Sequence, residues 1–208
     1  MDDQGTREAG TRRRRASYAN GERTRAALVD AAFEVFAQLG YHRLSIRQIA
    51  EAIGTSHTAL LHHFGSKDAL FEAVLARREE RLGPERADLV AEVGLLDAVP
   101  EVMRRNAEIP GVIQLDATLQ VEALDPGHAA HDFVTERERE FLASVREALE
   151  IERGRGRLRD DLDLDVVARL ITSQIEGVQL AWLADRSVDM AGVLQALMDL
   201  LRRPEAAN

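Results

Sequence analysis

Arg47, His57, Thr58, Leu61, His62, His63 and Lys67 fall within a short stretch of a 208-residue chain. Guanidinium and ammonium groups grip phosphate oxygens, an imidazole or hydroxyl can hydrogen-bond a base edge, and a leucine can rest on a thymine methyl. The chemistry these types offer together is recognition of duplex DNA.

Such side chains read DNA only if something holds them on one face. The segment SIRQIAEAIGTSHTALLHHFGSK, Ser45 to Lys67, carries two short helical patterns around Gly54-Thr55. Ser45 with Gln48 three residues on forms a capping box, which starts a helix at Ile46. Ile46, Ile49, Ala50 and Ile53 repeat at helical spacing, and Gly54 supplies the left-handed residue for the turn. Ser56 caps the next helix, whose Leu60 and Phe64 point to the core while His57, Thr58, Leu61 and His62 share the opposite face. A helix of this size enters a major groove about 12 Å wide, with its N-terminal residues nearest the bases. Gly65-Ser66 ends it.

Ser66 then caps a fourth helix with Lys67 in its first turn, where a cation gains nothing from the helix dipole. Lys67 is the single lysine beside 26 arginines, and a backbone phosphate would account for an ammonium there. The bland alternative is an incidental surface lysine.

These residues resemble the tetracycline-repressor (TetR) family of bacterial transcription regulators. The resemblance runs from Arg25 to Leu75, through RAALVDAAFEVFAQLGY, LSIRQIAEAIGTS and LLHHFGSKDALFEAV. It implies that Arg47, His57, Thr58 and Ala59 face bases or nearby phosphates, and that His63 and Lys67 hold the backbone; Ser45, Thr55, Leu61 and His62 complete the candidate DNA-contacting set. The chain departs from the family pattern at His57, Thr58, Ala59 and Leu61, where lysine, glycine or alanine, threonine and tyrosine are usual. Losing the tyrosine removes one phosphate-binding hydroxyl.

Composition narrows the field further. There is no cysteine, which excludes disulfides and thiolate chemistry. No apolar run of about 18 residues and no signal-peptide pattern is present, so a cytoplasmic protein is expected. The net charge of −9 is unevenly spread: residues 1–67 hold ten basic and seven acidic side chains, and residues 68–208 hold 17 and 29. A basic head on an acidic body orients the encounter with DNA. Neighbouring His62 and His63 diverge around a helix and do not make a metal site. His128 and His131, with Asp125 and Asp132, read better as helix-start capping than as ligands. No metal or cofactor is expected, and no catalytic spacing supports an enzyme.

The expected fold is all-α: a disordered basic arm at 1–20 carrying Arg12 to Arg15, a three-helix helix-turn-helix DNA-binding domain at 21–67, and a helical ligand-binding and dimerisation domain at 68–204. Helix 1 is predicted from Glu22 to Leu39 with Leu28, Ala32, Val35, Phe36 and Leu39 inward, ending at Gly40. Helix 4 is predicted from Lys67 to about Arg81, broken by Gly83-Pro84 and followed by a separate piece over 85–93. Residues 112–124 alternate like a strand but have no partner. A helix puts Val112, Leu115, Leu119 and Ala123 on one stripe, so a helix is expected.

The last two helices are too apolar for one face each. Ile171, Ile175, Val178, Val193, Leu194, Leu197 and Leu201 are the predicted dimer contacts in a four-helix interface. The resemblance implies a ligand pocket enclosed by helices 4 to 8, and its candidate lining is Met103, Asp116, Leu119, Gln120, Gln174, Glu176, Gln179 and Trp182. The functional expectation is a homodimeric repressor of a palindromic operator, released by a small molecule. An activator or a ligand-independent regulator of the same family is the alternative.

Overall fold

The computed structural model describes residues 21–36, 44–128 and 130–204. The Arg12 to Arg15 arm and the expected helix end at Leu39 and Gly40 lie outside them. Described residues form helix α1 over 21–36, α2 (Ile46–Ala52), α3 (His57–Phe64), α4 (Lys67–Val93), α5 (Leu95–Asn106), α6 (Pro110–Glu122), α7 (His131–Gly154), α8 (Leu164–Ala184) and α9 (Met190–Leu201). Among them the only β pairing is an isolated bridge between Leu158 and Arg202.

Two apolar cores organise these helices. One joins α5, α7, α8 and α9 around Leu96, Leu149, Ile171 and Leu194. The other holds Phe36, Ile49, Leu60, Leu70, Phe71 and Val74, and continues into α6 and the start of α7 through Val112, Leu115, Leu119, Ala123 and Val134. Phe36 and Phe71 meet edge to face at 4.8 Å between centroids, an arrangement that adds about 0.5–1.5 kcal/mol to the burial itself. The head is therefore not an independent bead: its core runs without a gap into α6.

The stripe Val112, Leu115, Leu119 and Ala123 is buried as the helical reading required, and the alternation that imitates a strand has no consequence. Pro110 opens this helix at its first turn, where a missing N–H leaves no intrahelical bond unmade.

Three expectations are corrected. In α1 the buried residues are Val29, Ala32, Phe33 and Phe36; Leu28 and Val35 are half-buried at the edges of that stripe, a small rotation of the helix. Gly83-Pro84 does not break α4, which continues to Val93 with Pro84 inside it. Pro84 removes one hydrogen bond to the carbonyl of Glu80, but both residues are exposed, so water takes that carbonyl. The third concerns the last two helices. Ile171, Ile175, Val178, Leu194 and Leu201 are buried inside their own chain, because α5 and α7 pack on the faces predicted to meet a second subunit. Leu197 is half-buried against the same core, and Val193 alone of the predicted set is exposed.

Gly94, between α4 and α5, has φ +86° and ψ 164°. A Cβ there would fall 1.6 Å from Arg157 Nη2 and 2.3 Å from Glu152 Oε1. The bare backbone lets Glu152, 1 % exposed, accept from the Leu95 N–H at 2.9 Å and from Arg157 at 2.5 Å. Arg157 also donates to the Val93 carbonyl. One buried carboxylate thus joins the end of α7 to the α4–α5 junction.

Candidate nucleic-acid interface

The reading unit is built by three serine caps and two glycine turns. The Ser45 N–H donates to Gln48 Oε1 at 2.9 Å, and the Gln48 N–H to Ser45 Oγ at 3.3 Å. Ser56 Oγ takes the Ala59 N–H, and Ser66 Oγ the Ala69 N–H, each at 3.0 Å. After α2 the Thr55 N–H bonds to the Ala50 carbonyl and the Gly54 N–H to that of Glu51. With Gly54 at φ +73° this is a Schellman ending, and it fixes the angle between α2 and α3. Gly65 at φ +78° ends α3 in a left-handed residue as well.

Ile49, Ala50, Leu60 and Phe64 fill the space beneath. That packing turns His57, Thr58, Leu61 and His62 outward on α3, with Arg47 and Ser45 exposed on α2. Leu61 is 36 % exposed, an apolar side chain that no neighbour covers fully. Ala59, His63 and Thr55 are half-buried. The His63 ring lies 5.6 Å from that of His62 and 6.3 Å from that of Phe64, so it occupies the flank of the helix. The outer face offers donors, acceptors and one apolar contact with no cluster of carboxylates on it.

Lys67 is placed differently from a free surface lysine. Its ammonium lies 5.3 Å from the centre of the Phe71 ring. Burial draws its pKa below the ordinary lysine value, while Asp68 and Glu122 of α6 oppose the shift. It sits at the seam between the head and α6. Arg25 of α1, 4.9 Å above the Phe64 ring, adds a guanidinium beside the end of α3; only its position in the turn-rich packing reveals it, since nothing in its spacing marks it out.

The candidate ligand-lining residues divide into separate groups. Met103 and Trp182 border a cavity of about 160 Å³ between α5, α8 and α9, with Ala107, Val188 and Met190. Gln179 Nε2 approaches Met103 Sδ at 3.9 Å, and the Arg186 guanidinium covers the Trp182 ring at 3.8 Å. Leu119 belongs to the core shared with the head, and Gln174 is half-buried on α8. Asp116, Gln120 and Glu176 come together elsewhere, around two residues the sequence reading missed. Asp116 pairs with Arg137 at 2.5 Å, and Gln120 donates to Glu138 at 3.0 Å. Burial first, then the hydrogen-bonded Glu138 and its charge, and then Asp116, push Glu176 up to about 7 against the opposing pull of Arg137. The pattern Glu136 to Glu140 reads in sequence as solvated alternating charge, so no local signal separates Arg137 and Glu138 from it.

His128 and His131 do not cap the start of α7, which has no side-chain cap: His128 Nδ1 accepts from the Ala130 N–H at 3.2 Å within the turn, and His131 Nδ1 lies 2.8 Å from the Ala123 carbonyl oxygen at the end of α6. Asp125 accepts from the Gly127 N–H. No helix among the described residues is long and apolar enough to cross a membrane.

Of the large apolar side chains the fold leaves outside, Leu61, Val121, Leu124 and Ile151 lie apart, and the rest form a second stripe. On α8 they are Val166, Leu170 and Leu180, with exposed Ser173, Gly177 and Ala184 completing steps of three and four; on α9 they are Val193 and Leu200, with Ala196. The signal for this face was the repeat itself, which a larger apolar stripe on the same helices concealed.

A sequence model of the family described as "Bacterial regulatory proteins, tetR family" matches residues 28–74, the helix-turn-helix and its supports. The HTH-type transcriptional repressor AcnR of Corynebacterium jeikeium is 31% identical over 184 residues, 85% of this chain and 91% of that protein. An HTH-type transcriptional repressor of Mycobacterium tuberculosis is also 31% identical, over 86% of this chain and 93% of that one. A transcriptional regulator of Saccharomonospora viridis, solved in complex with choline, has the same fold, with a TM-score of 0.69 over 88% of this chain and 100% of that one at 17% identity. With its capped α2–α3 unit and its all-helical body, the chain belongs to the tetR family of helix-turn-helix transcriptional regulators, which are not enzymes.

Proposed function

We propose that the protein is a homodimeric repressor that binds a near-palindromic operator through α3 and leaves it when a small molecule occupies the helical body. The observation that carries this reading is the outward face of α3, His57, Thr58, Leu61 and His62, held rigid by capped ends and supported by Arg47. Base edges are read by His57, Thr58 and Ala59, the thymine methyl by Leu61, and phosphates are held by Arg47, His63 and Lys67. The two relatives named as repressors support the sign of regulation.

The dimer forms through the stripe that the chain's own core leaves uncovered. Val166 is 63% exposed, Leu180 51% and Leu200 70%, and apolar side chains that line up on two adjacent helices make the kind of surface that marks a protein–protein contact. A two-fold axis over α8 and α9 buries both copies at once and sets the two heads a fixed distance apart, which a palindrome mirrors. The effector site is the polar group of Asp116, Gln120 and Glu176 with Arg137, whose Nη1 is buried without a partner, a donor that an acceptor on an effector would satisfy once the helices part. An effector that binds one spacing of the heads better than the other shifts the equilibrium by that difference in affinity.

Genome-wide footprinting of the full-length protein with a transcript readout tests the proposal. Protected sites with two-fold symmetry and raised transcription on deletion are expected. Sites without symmetry, or transcripts that fall on deletion, would refute the dimeric repressor.

A further inference from the structure

Charge along α1 is settled unevenly. In its second half Asp30 accepts from Arg77 of α4 at 2.8 Å, and Glu34 lies 3.9 Å from Arg81, so acid and base there neutralise each other. Little more than a turn earlier, Arg25 has no carboxylate at ion-pair distance among the described residues. Its guanidinium lies instead 4.9 Å from the centre of the Phe64 ring, the last residue of α3. Phe64 is 8% exposed, whereas Arg25 as a whole is open to solvent. A ring face attracts the charge of a guanidinium but supplies no lone pair to its five N–H donors, which stay available to an acceptor.

The place of Arg25 decides which acceptor. α3 has eight residues, so it is about 12 Å long, close to the width of the major groove. With the N-terminal residues of α3 on base edges, its C-terminal end meets the groove wall, which is phosphate. Phe64 stands at that end, with the His63 ring 6.3 Å from its own. Three residues further on, the Lys67 ammonium lies 5.3 Å from the centre of the Phe71 ring. Two cations, one from α1 and one from α4, are thus held over phenylalanine rings at the same end of the reading helix.

Resting on the operator binding proposed above, we infer that Arg25, seated on Phe64, is a further phosphate contact of the head, gripping the DNA backbone where the C-terminal end of α3 leaves the major groove. The ring holds the fork in position before DNA arrives, so little side-chain freedom is lost when two N–H groups meet two phosphate oxygens. A purely structural Arg25 would only shield Phe64 and complement the last carbonyls of α3. The two roles part in their salt dependence.

Full-length protein titrated on the footprinted fragment between about 50 and 200 mM salt tests the contact, with Arg25→Gln set beside Arg23→Gln. Arg23 is equally exposed and also lacks a carboxylate partner among the described residues, but two residues along a helix place it about 200° away from Arg25. Arg25→Gln should lower the slope of log affinity against log salt by about 0.9 for each head, so that its deficit against wild type shrinks about tenfold across this range in a dimer. The loss should be equal on every single-base variant of the operator, because phosphate contacts carry no sequence. Arg23→Gln should keep the wild-type slope. An unchanged slope for Arg25→Gln with a lowered melting temperature, or equal losses for the two variants, overturns the contact and leaves the operator reading intact. Wild-type protein that binds no fragment at any salt sinks that reading instead. Should glutamine cost the fold, Arg25→Lys decides, since it keeps the charge and loses the fork: affinity several-fold weaker on every operator variant supports the contact, and unchanged affinity overturns it.

Discussion

Replacing Gly94 with alanine should destabilise the protein far more than the same change at Gly54, although both have positive φ. At Gly54, φ +73°, an added Cβ meets nothing within 4 Å, and the cost is left-handed strain of about 1–2 kcal/mol. At Gly94 the backbone conformation is one that glycine alone adopts readily, which costs about 1–3 kcal/mol. The new methyl also lands on Arg157 Nη2 at 1.6 Å and Glu152 Oε1 at 2.3 Å. The guanidinium is the end of a flexible side chain and can swing away, but Glu152 is 1 % exposed and then lacks its countercharge. Uncoupling a buried pair in this way costs about 3–5 kcal/mol; Arg157 is itself 29% exposed, which favours the lower end. The sum is about 4–6 kcal/mol. For a chain of this length each kcal/mol moves Tm by about 2–4 °C, so Gly94→Ala should melt roughly 10–20 °C below wild type in calorimetry, and Gly54→Ala only a few degrees below. Equal losses for the two variants, to within about 1 kcal/mol, would show that the Glu152–Arg157 contact at Gly94 contributes nothing and that strain is the whole effect.

Lys67→Gln should lower the slope of log affinity against log salt by about 0.9 for each head, read in a salt series of operator binding; an unchanged slope removes Lys67 from the phosphate contacts. Phe71→Ala empties a site at 0 % exposure in the core shared by α4 and α6 and should cost about 3–5 kcal/mol in urea unfolding; a loss under about 1 kcal/mol would mean that the head does not depend on this packing. Leu200→Glu, at a position 70 % exposed, should yield monomers in sedimentation and abolish tight operator binding, whereas Ile171→Ala should weaken the fold by about 2–5 kcal/mol and leave the subunits paired. A dimeric Leu200→Glu protein would move the interface elsewhere.

Several features are legible in the sequence because their causes are local. Ser45 with Gln48, Ser56 and Ser66 satisfy N–H groups within three residues of themselves, and Gly54 and Gly65 permit φ angles that other residues resist. The helix at α6 was legible for a related reason: Val112, Leu115, Leu119 and Ala123 recur at helical spacing, and a lone strand would have left its backbone groups unpaired. The reading face of α3 follows from these caps and from Leu60 and Phe64, which can turn inward only by turning His57, Thr58 and Leu61 out.

Other features depended on residues far away in the chain. Gly83-Pro84 reads as a break, yet an exposed helix tolerates one solvated carbonyl. Ile171, Ile175, Val178 and Leu194 read as a subunit contact because an apolar stripe does not say which neighbour covers it; α5 and α7 reached it first, leaving Val166, Leu170, Leu180 and Leu200 outside. Arg137 and Glu138 look like solvated charge until α6 and α8 close over them. Local hydrogen bonding and backbone sterics therefore wrote the helices, the turns and the reading face into the sequence itself. Which apolar face is core, which is left for a second subunit, and which charges lose their water were decided only by tertiary packing, because burial and desolvation are set by whatever distant element arrives at the same place.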